Sequence, residues 1–75
     1  MPAATPPLDG PHLRLLRLRS GVGQRALARA LGRRPSWVGL VENSVHVTPM
    51  VVAAYIDGVH GVVRAREALT IDDLG

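Results

Sequence analysis

Apolar residues recur at helical spacing along most of the chain. Leu13 and Leu16 are three residues apart, which places them on one face of an α-helix. Leu27 and Leu31 are four residues apart and share a face in the same way. No segment alternates apolar and polar residues over a useful strand length. The pattern predicts an all-α fold, a compact bundle of about five helices at residues 12–20, 24–31, 35–42, 49–59 and 62–69.

Two glycines interrupt the helical pattern in the last third of the chain. Because Gly58 and Gly61 lower helix propensity, we expect one helix to end near Val59 and another to begin near Val62. A single kinked helix is the alternative. The Thr-Ile-Asp-Asp sequence at residues 70–73 resembles a capping arrangement and predicts a final short turn.

The N-terminal segment differs in composition from the rest. Four of the six prolines lie in residues 1–11, which predicts a flexible arm followed by one domain over residues 12–75. A chain of 75 residues that is 47% apolar has room for one small core. The lack of cysteine excludes a disulfide scaffold, and no apolar run approaches the roughly 18 residues of a membrane span. We therefore expect a cytoplasmic protein without a membrane partner.

Positive charge is concentrated in one segment of the chain. Residues 12–44 contain seven arginines and a single acidic residue, for a net charge of +6. Residues 1–11 carry −1 and residues 45–75 carry −2, which leaves +3 for the whole chain. This distribution is typical of a protein that binds a polyanion. The alternative is a solvated surface whose arginines aid solubility.

The segment from residue 24 to residue 42 meets the steric requirements of a helix-turn-helix. Two short helices that cross at a steep angle need a sharp turn, a small residue at the crossing and apolar residues that face inward. Gly32 can supply the turn, and Ala28 is the small residue. The inward-facing residues are Leu27, Leu31, Val38 and Val41.

Several short motifs in fixed order carry a family resemblance. They are Leu16-Arg17, Gly21-Val22-Gly23-Gln24, Leu27-Ala28, Leu31-Gly32 and the run from Pro35 to Asn43. Over about residues 12–60 the chain resembles the lambda-repressor-like group, which includes phage repressors, Cro proteins and XRE-type regulators. The resemblance implies a five-helix bundle whose third helix lies in the major groove of double-stranded DNA. It also implies sequence-specific transcription regulation in a bacterial cytoplasm or a phage-infected host cell.

The resemblance also implies roles for individual residues. By position, Gln24 contacts a phosphate and Asn43 lies near the sugar-phosphate backbone. An ion pair between Arg17 and Glu42 joins the first helix to the third, as in some members. Four residues match the turn and the outer face of the recognition helix, namely Arg34, Ser36, Trp37 and Leu40.

Three positions and one loop depart from the family pattern. Arg33 stands where an apolar residue is usual, so either its stem crosses the core edge or the turn is looser. Arg34 replaces the usual Ser or Thr cap, which predicts a poor N-cap. Ser44 replaces a common glycine, and residues 45–47 lack the basic residues that add phosphate contacts. We therefore expect phosphate contacts to concentrate at the turn.

Each candidate DNA contact could instead have an ordinary structural or surface role. Arg33 and Arg34 can hold phosphate or read guanine, or remain solvated charges. Trp37 can pack over the core edge or touch the DNA backbone or a thymine methyl. Leu40 can meet a thymine methyl or be an ordinary surface residue. Gly39 costs about 1 kcal/mol of helix propensity relative to Ala, which is tolerable if a backbone approaches closely there.

Ser36 and three arginines are the remaining polar residues considered for DNA binding. Ser36 can bond a base edge or a phosphate, or support the start of its helix. Three arginines on the first two helices, Arg14, Arg25 and Arg29, are interpreted as a solvated face that adds long-range attraction. The predicted DNA-binding set is Gln24, Arg33, Arg34, Ser36, Trp37, Gly39, Leu40 and Asn43.

A homodimer on DNA is the expected assembly, because one recognition helix contacts only a few base pairs. The candidate contacts lie on the apolar side of residues 50–69 and are Val52, Val59, Val62, Val63 and Leu69. The alternative is that these residues complete the core of a single chain.

No catalytic or metal-binding constellation can be assembled from the sequence. The three histidines are scattered without acidic or thiol companions at ligand spacing, so we expect no enzyme activity, cofactor, metal or small-molecule ligand. The alternative function is a protein-interaction module, or an antitoxin that binds a toxin or another regulator. Its motivation is the acidic C-terminal third and the apolar surface at Trp37 and Leu40.

Overall fold

The computed structural model describes residues 9–74, and the side chains of residues 9–69. This part of the chain forms four helices and contains no strand. In chain order they are α1 (Gly10–Arg19), α2 (Gln24–Leu31), α3 (Pro35–Glu42) and α4 (Pro49–Leu74). The all-α class is confirmed, and so are the predicted bounds of α2 and α3.

The first helix begins two residues earlier than predicted. Asp9 is its N-cap, and the Asp9 carboxylate accepts a hydrogen bond from the backbone N–H of His12 at 3.0 Å. Pro11 sits in the first turn, where its missing N–H leaves no bond unmade. Of the predicted arm over residues 1–11, residues 1–8 lie outside the described residues, and residues 9–11 form the cap and first turn of α1.

The last third of the chain is one helix, so the prediction of two helices, and of five in total, is wrong. The reason lies in the packing of α4 on α2. A Cβ atom on Gly58 would lie 2.7 Å from Leu31 Cδ2 and 2.8 Å from Leu27 Cδ1. The glycine thus permits a close crossing of two helices, which compensates for its low helix propensity. The predicted final turn at residues 70–73 is also absent, because α4 continues to Leu74.

The core is built from aliphatic residues and one tyrosine. Its buried members come from every helix and from the α1–α2 connection: Leu13, Val22, Leu27, Ala28, Val38, Val41, Tyr55 and Val59. The start of α1 closes this core from one end, where the Gly10 N–H donates to the Ser44 carbonyl oxygen at 2.9 Å. A Cβ atom on Gly10 would overlap the carbonyl oxygens of Val41 and Glu42, so only glycine fits there.

The turn between α2 and α3 sets the direction of α3. Gly32 adopts the left-handed conformation, with φ 66° and ψ 32°, as predicted for a sharp turn. The next backbone N–H, from Arg33, donates to the Ala28 carbonyl oxygen at 2.8 Å and closes the end of α2. Arg34 then serves as the N-cap of α3 without a side-chain capping bond, as its residue type predicts. Within residues 9–74, no helix combines the length and apolar character needed to cross a bilayer.

Candidate nucleic-acid interface

The third helix presents one face to the core and the other to solvent. Val38, Val41 and Glu42 are buried, and Val38 is fully inaccessible. On the opposite face Ser36 is exposed and the Leu40 side chain is 69% exposed. Leu40 therefore adds an apolar side chain to the solvent-facing side of α3.

Arg33 lies over the indole ring of Trp37. The guanidinium carbon is 5.2 Å from the ring centroid, a cation–π geometry, and the Arg33 residue as a whole is exposed. Trp37 is half-buried and packs against the core. The turn that carries Arg33 keeps its regular hydrogen bond, so the departure at this position leaves the turn tight. The guanidinium is therefore held at the surface with its N–H groups available.

Five of the eight predicted DNA-contacting residues meet in one shallow depression at the turn. The depression measures about 340 Å³. Gly32 contributes backbone at its edge, and the predicted residues that line it are Arg33, Arg34, Ser36, Trp37 and Leu40. Two guanidinium groups beside an apolar surface can bind phosphate or the edge of a guanine.

The other three predicted residues line a second, more polar cleft. It measures about 260 Å³ and lies between α1, α2 and α3. Its lining residues are Arg14, Gln24, Gly39, Glu42 and Asn43. Arg14 was missing from the predicted interface. The signal that could have found it is its position three residues before Arg17, which places the two on adjacent turns of the same side of α1.

A buried hydrogen-bond network joins the four helices beneath these two surfaces. Arg17 in α1 donates to the Glu42 carboxylate from Nε to Oε2 at 2.6 Å and from Nη2 to Oε1 at 3.1 Å. Arg17 Nη1 also donates to the Val22 carbonyl oxygen at 3.0 Å. Gln24 Nε2 donates to Oε1 at 3.1 Å, and the Tyr55 hydroxyl donates to Oε2 at 2.5 Å. Each helix contributes one side chain, so the network fixes α3 relative to the other three.

The network shifts the pKa of its members. Burial alone would raise the pKa of the Glu42 carboxyl, but hydrogen bonds from Arg17, Tyr55 and Gln24 outweigh it and hold this pKa below the ordinary value. The hydrogen bond to Glu42 raises the pKa of Arg17. Burial, together with the hydrogen bond to Glu42, raises the pKa of Tyr55 well above its ordinary range. At neutral pH the network therefore contains a charged pair and a neutral phenol.

Gln24 takes part in this network as well as lining the polar cleft. One N–H of its amide is used by Glu42. An amide nitrogen carries two N–H donors, and the backbone N–H groups of the first turn of α2 have no partner within the helix. Gly23 is the N-cap of this helix and provides no side-chain hydrogen bond to these N–H groups.

The predicted dimer contacts differ in their surroundings. Val59 is fully buried in the core, so its assignment as a contact between chains is wrong. The helical spacing of Val59 is compatible with a core residue and with a dimer contact, and the packing of α4 on the other helices shows that it is a core residue. Val52, Val62 and Val63 are half-buried and pack against the core. Leu69 lies nearer the end of α4, and 68% of it is exposed.

Comparison with models of known protein families gives a match over most of the chain. A family model described as a helix-turn-helix domain matches residues 10–74, which includes all four helices. No curated protein and no solved structure matches the chain significantly. The matched range contains the two short helices and the left-handed glycine turn between them, which are the elements of a helix-turn-helix. The match is consistent with a lambda-repressor-like relationship. The chain belongs to the helix-turn-helix domain family.

Proposed function

We propose that this protein is a sequence-specific regulator of transcription that binds double-stranded DNA, of the phage Cro and repressor type. The observation that carries the proposal is the solvent-facing side of α3, where Arg34, Ser36 and Leu40 are exposed beside the Arg33–Trp37 pair. A helix fits the major groove of B-form DNA, which is about 12 Å wide. In this arrangement α3 is the recognition helix.

The two surfaces around α3 have separate roles in the proposal. The depression at the turn supplies the contacts to base edges, because Arg34 can pair with guanine and Leu40 can meet a thymine methyl. Gln24 and Asn43, in the polar cleft, face the sugar-phosphate backbone. The buried Arg17–Glu42 pair keeps the two surfaces in fixed register.

Charge supports the same assignment. The net charge of +6 on residues 12–44 belongs to the three helices that build both surfaces and to the turn between α2 and α3, whereas residues 45–75 carry −2. Such a field attracts DNA to the α3 side and disfavours approach by α4. Binding should weaken steeply as salt rises, because each phosphate contact releases condensed counterions.

We infer that two copies bind together, each with one half-site. A single recognition helix contacts too few base pairs for useful specificity. The contact surface that remains after Val59 is assigned to the core is the end of α4, with Val62, Val63 and exposed Leu69. Within the described side chains, no residue of α4 lines either surface around α3, so a contact through this part of α4 leaves both α3 helices free for DNA.

A selection from a random pool of duplexes, followed by mobility-shift titration at low and moderate salt, tests the proposal. We expect a recurrent motif with two related half-sites and a strong decrease of affinity with salt. Equal recovery of all sequences, with no motif after repeated rounds, would contradict sequence-specific regulation.

A protein-interaction module, including an antitoxin, is the second candidate function. The observation that favours it is the exposed apolar surface on helices other than α3, where Leu15 and Leu18 of α1 and Met50 of α4 are all exposed. A pure interaction module would show little DNA binding at either salt concentration, so the same titration separates it from a DNA-binding regulator, whereas an antitoxin would combine both activities.

A further inference from the structure

The C-terminal part of α4 extends beyond the core of the domain. Among the described side chains, those of α4 that pack against the core end at Val63, and residues 64–69 are all exposed. The helix nevertheless continues to Leu74, about 16 Å further along its axis. Most helical stability in proteins comes from the packing of one face against a neighbour. A projecting helix end of this length therefore indicates a partner surface.

The projecting end combines an apolar residue with negative charge. Leu69 is 68% exposed, and Asp72 and Asp73 follow it by three and four positions, which lie on the same face of a helix. The last turn of α4 contains no basic residue. Since the C-terminal end of a helix already has a partial negative charge, acidic residues are unfavourable there unless a cationic surface faces them. We name Leu69, Asp72 and Asp73 the α4 tip.

The outer face of α1 has the complementary chemistry. Leu15 and Leu18 are three residues apart, and they are 45% and 53% exposed. Arg14 lies four residues before Leu18 and Arg19 four residues after Leu15, so an exposed arginine flanks the pair on each side. Neither arginine forms an ion pair with another described side chain. We name these four residues the α1 patch.

The tip and the patch lie near the same end of the molecule. Arg66 Nη1, one turn before Leu69, donates to the Gly21 carbonyl oxygen at 2.6 Å. The Gly21 N–H donates to the Leu18 carbonyl oxygen at 3.1 Å. One chain cannot place its tip on its own patch, because α4 runs without interruption to Leu74. Two copies related by a two-fold axis can exchange both contacts, which gives a closed, self-complementary assembly.

We propose that the α4 tip of each copy docks on the α1 patch of a second copy. In this reciprocal contact Leu69 packs on Leu15 and Leu18, and the acidic residues of the tip face the arginines of the patch. The inference rests on the two-copy binding proposed above and adds to it the receiving surface on α1. It also explains why apolar residues occupy the outer face of a surface helix.

Introduced thiols test the contact directly, because the chain contains no cysteine. Full-length Leu18→Cys and Leu69→Cys proteins are mixed in a buffer of reduced and oxidised glutathione, both free and with a selected duplex. A disulfide requires two Cα atoms within about 7 Å. We expect a disulfide between the two different chains to exceed either homodimeric disulfide about tenfold. Met50→Cys, at another exposed apolar position, is the matched control and should remain unlinked.

The other outcomes are equally informative. A disulfide between two Leu69→Cys chains in place of the mixed one would indicate that α4 packs on α4, and it would overturn the inference. Absence of the mixed disulfide, or equal linkage by Met50→Cys, would overturn it as well. A selected motif with two half-sites but no mixed disulfide would reject the α1 patch alone. A mixed disulfide without any selected motif would reject the proposed function alone.

Charge reversal tests the electrostatic part of the contact. Arg19 is not among the residues that line the two surfaces around α3, so its reversal acts on the interface. Arg19→Glu should raise the Kd of the dimer about fivefold at low salt, and Asp73→Arg in the same chain should restore it to within about twofold. Arg29→Glu reverses an exposed arginine outside the patch and should leave this Kd unchanged. Sedimentation equilibrium measures all three variants. Equal effects of Arg19→Glu and Arg29→Glu, or no recovery with Asp73→Arg, would overturn the inference.

Discussion

The Tyr55 hydroxyl of α4 donates a hydrogen bond of 2.5 Å to Oε2 of Glu42 at the end of α3. This contact connects the long C-terminal helix to the helix that we propose enters the major groove. The same carboxylate oxygen accepts from Arg17 Nε at 2.6 Å. A single buried carboxylate thus joins α3 to donors from the other three helices, in addition to the packing of Val38 and Val41 in the core.

Tyr55→Phe removes one of these donors and keeps the aromatic ring in the core. We expect a loss of about 1–2 kcal/mol in the free energy of unfolding, because a buried carboxylate loses a hydrogen bond without a replacement. Thermal and urea denaturation of the two proteins measures the difference. Equal stability of the variant and the wild type would show that the phenol does not support Glu42.

The pH dependence of stability should have one limb for each titrating member of the network. The pKa of Glu42 lies below its ordinary 4.5, so its contribution is present above about pH 4.5 and is lost as pH falls through the folded-state pKa. The pKa of Tyr55 lies above its ordinary 10.0, so its contribution is present below pH 10 and is lost as pH rises further.

Urea denaturation across the pH range checks both limbs. In Tyr55→Phe the alkaline decrease should become shallower, while in the control Asp57→Asn, an exposed site on α4, both limbs should keep the wild-type form. An alkaline limb of equal steepness in Tyr55→Phe would contradict the assignment to this phenol.

Much of the fold follows from local sequence signals, and the misassigned parts depend on contacts between helices. Gly32 and Pro35 mark the turn locally, so the bounds of α2 and α3 were predictable. The continuity of α4 depends on Leu27 and Leu31, whose side chains occupy the space that a Cβ on Gly58 would need. The helical spacing of Val59 is the same for a core residue and for a dimer contact. Only the packing of α4 reveals that it is buried.

The candidate site divides in the same way. The turn and the outward residues of α3 can be predicted from their order in the chain, because residues three or four positions apart lie on the same face of a helix. Tyr55 as a donor to Glu42, and Arg14 beside Gly39, require that distant helices come together. Sequence spacing along one helix contains no information about these neighbours.

The Arg33–Trp37 stack should make the effects of these two residues on DNA affinity interdependent. Since the indole ring holds the guanidinium at the surface, Trp37→Leu should weaken binding partly through Arg33. In a double-mutant cycle with Arg33→Ala, we expect a coupling free energy of about 0.5–1 kcal/mol. The measurement is affinity for a selected duplex. Strictly additive effects would indicate that Trp37 and Arg33 act separately on DNA.

The end of α4 should determine whether two copies associate. Leu69→Glu places a charge on a side chain that is 68% exposed in the single chain, so it should leave the fold intact and weaken the dimer. Met50→Glu, at another exposed apolar position of α4, is the matched control and should leave association unchanged. Sedimentation with and without DNA measures both variants. Monomers alone, free and on selected DNA, would contradict the proposed dimer.

The central claim is that the outward face of α3 reads the DNA sequence. Arg34 is exposed at the start of this helix and lines the depression at the turn, so its loss should affect one part of the motif. The most direct measurement is a parallel selection from random duplexes with the wild type and with Arg34→Ala. We expect the wild type to recover a defined motif. Arg34→Ala should lose preference at one position per half-site, with about 1–3 kcal/mol weaker binding to the wild-type motif. An identical motif and affinity for both proteins would contradict the assignment of α3 as the recognition helix.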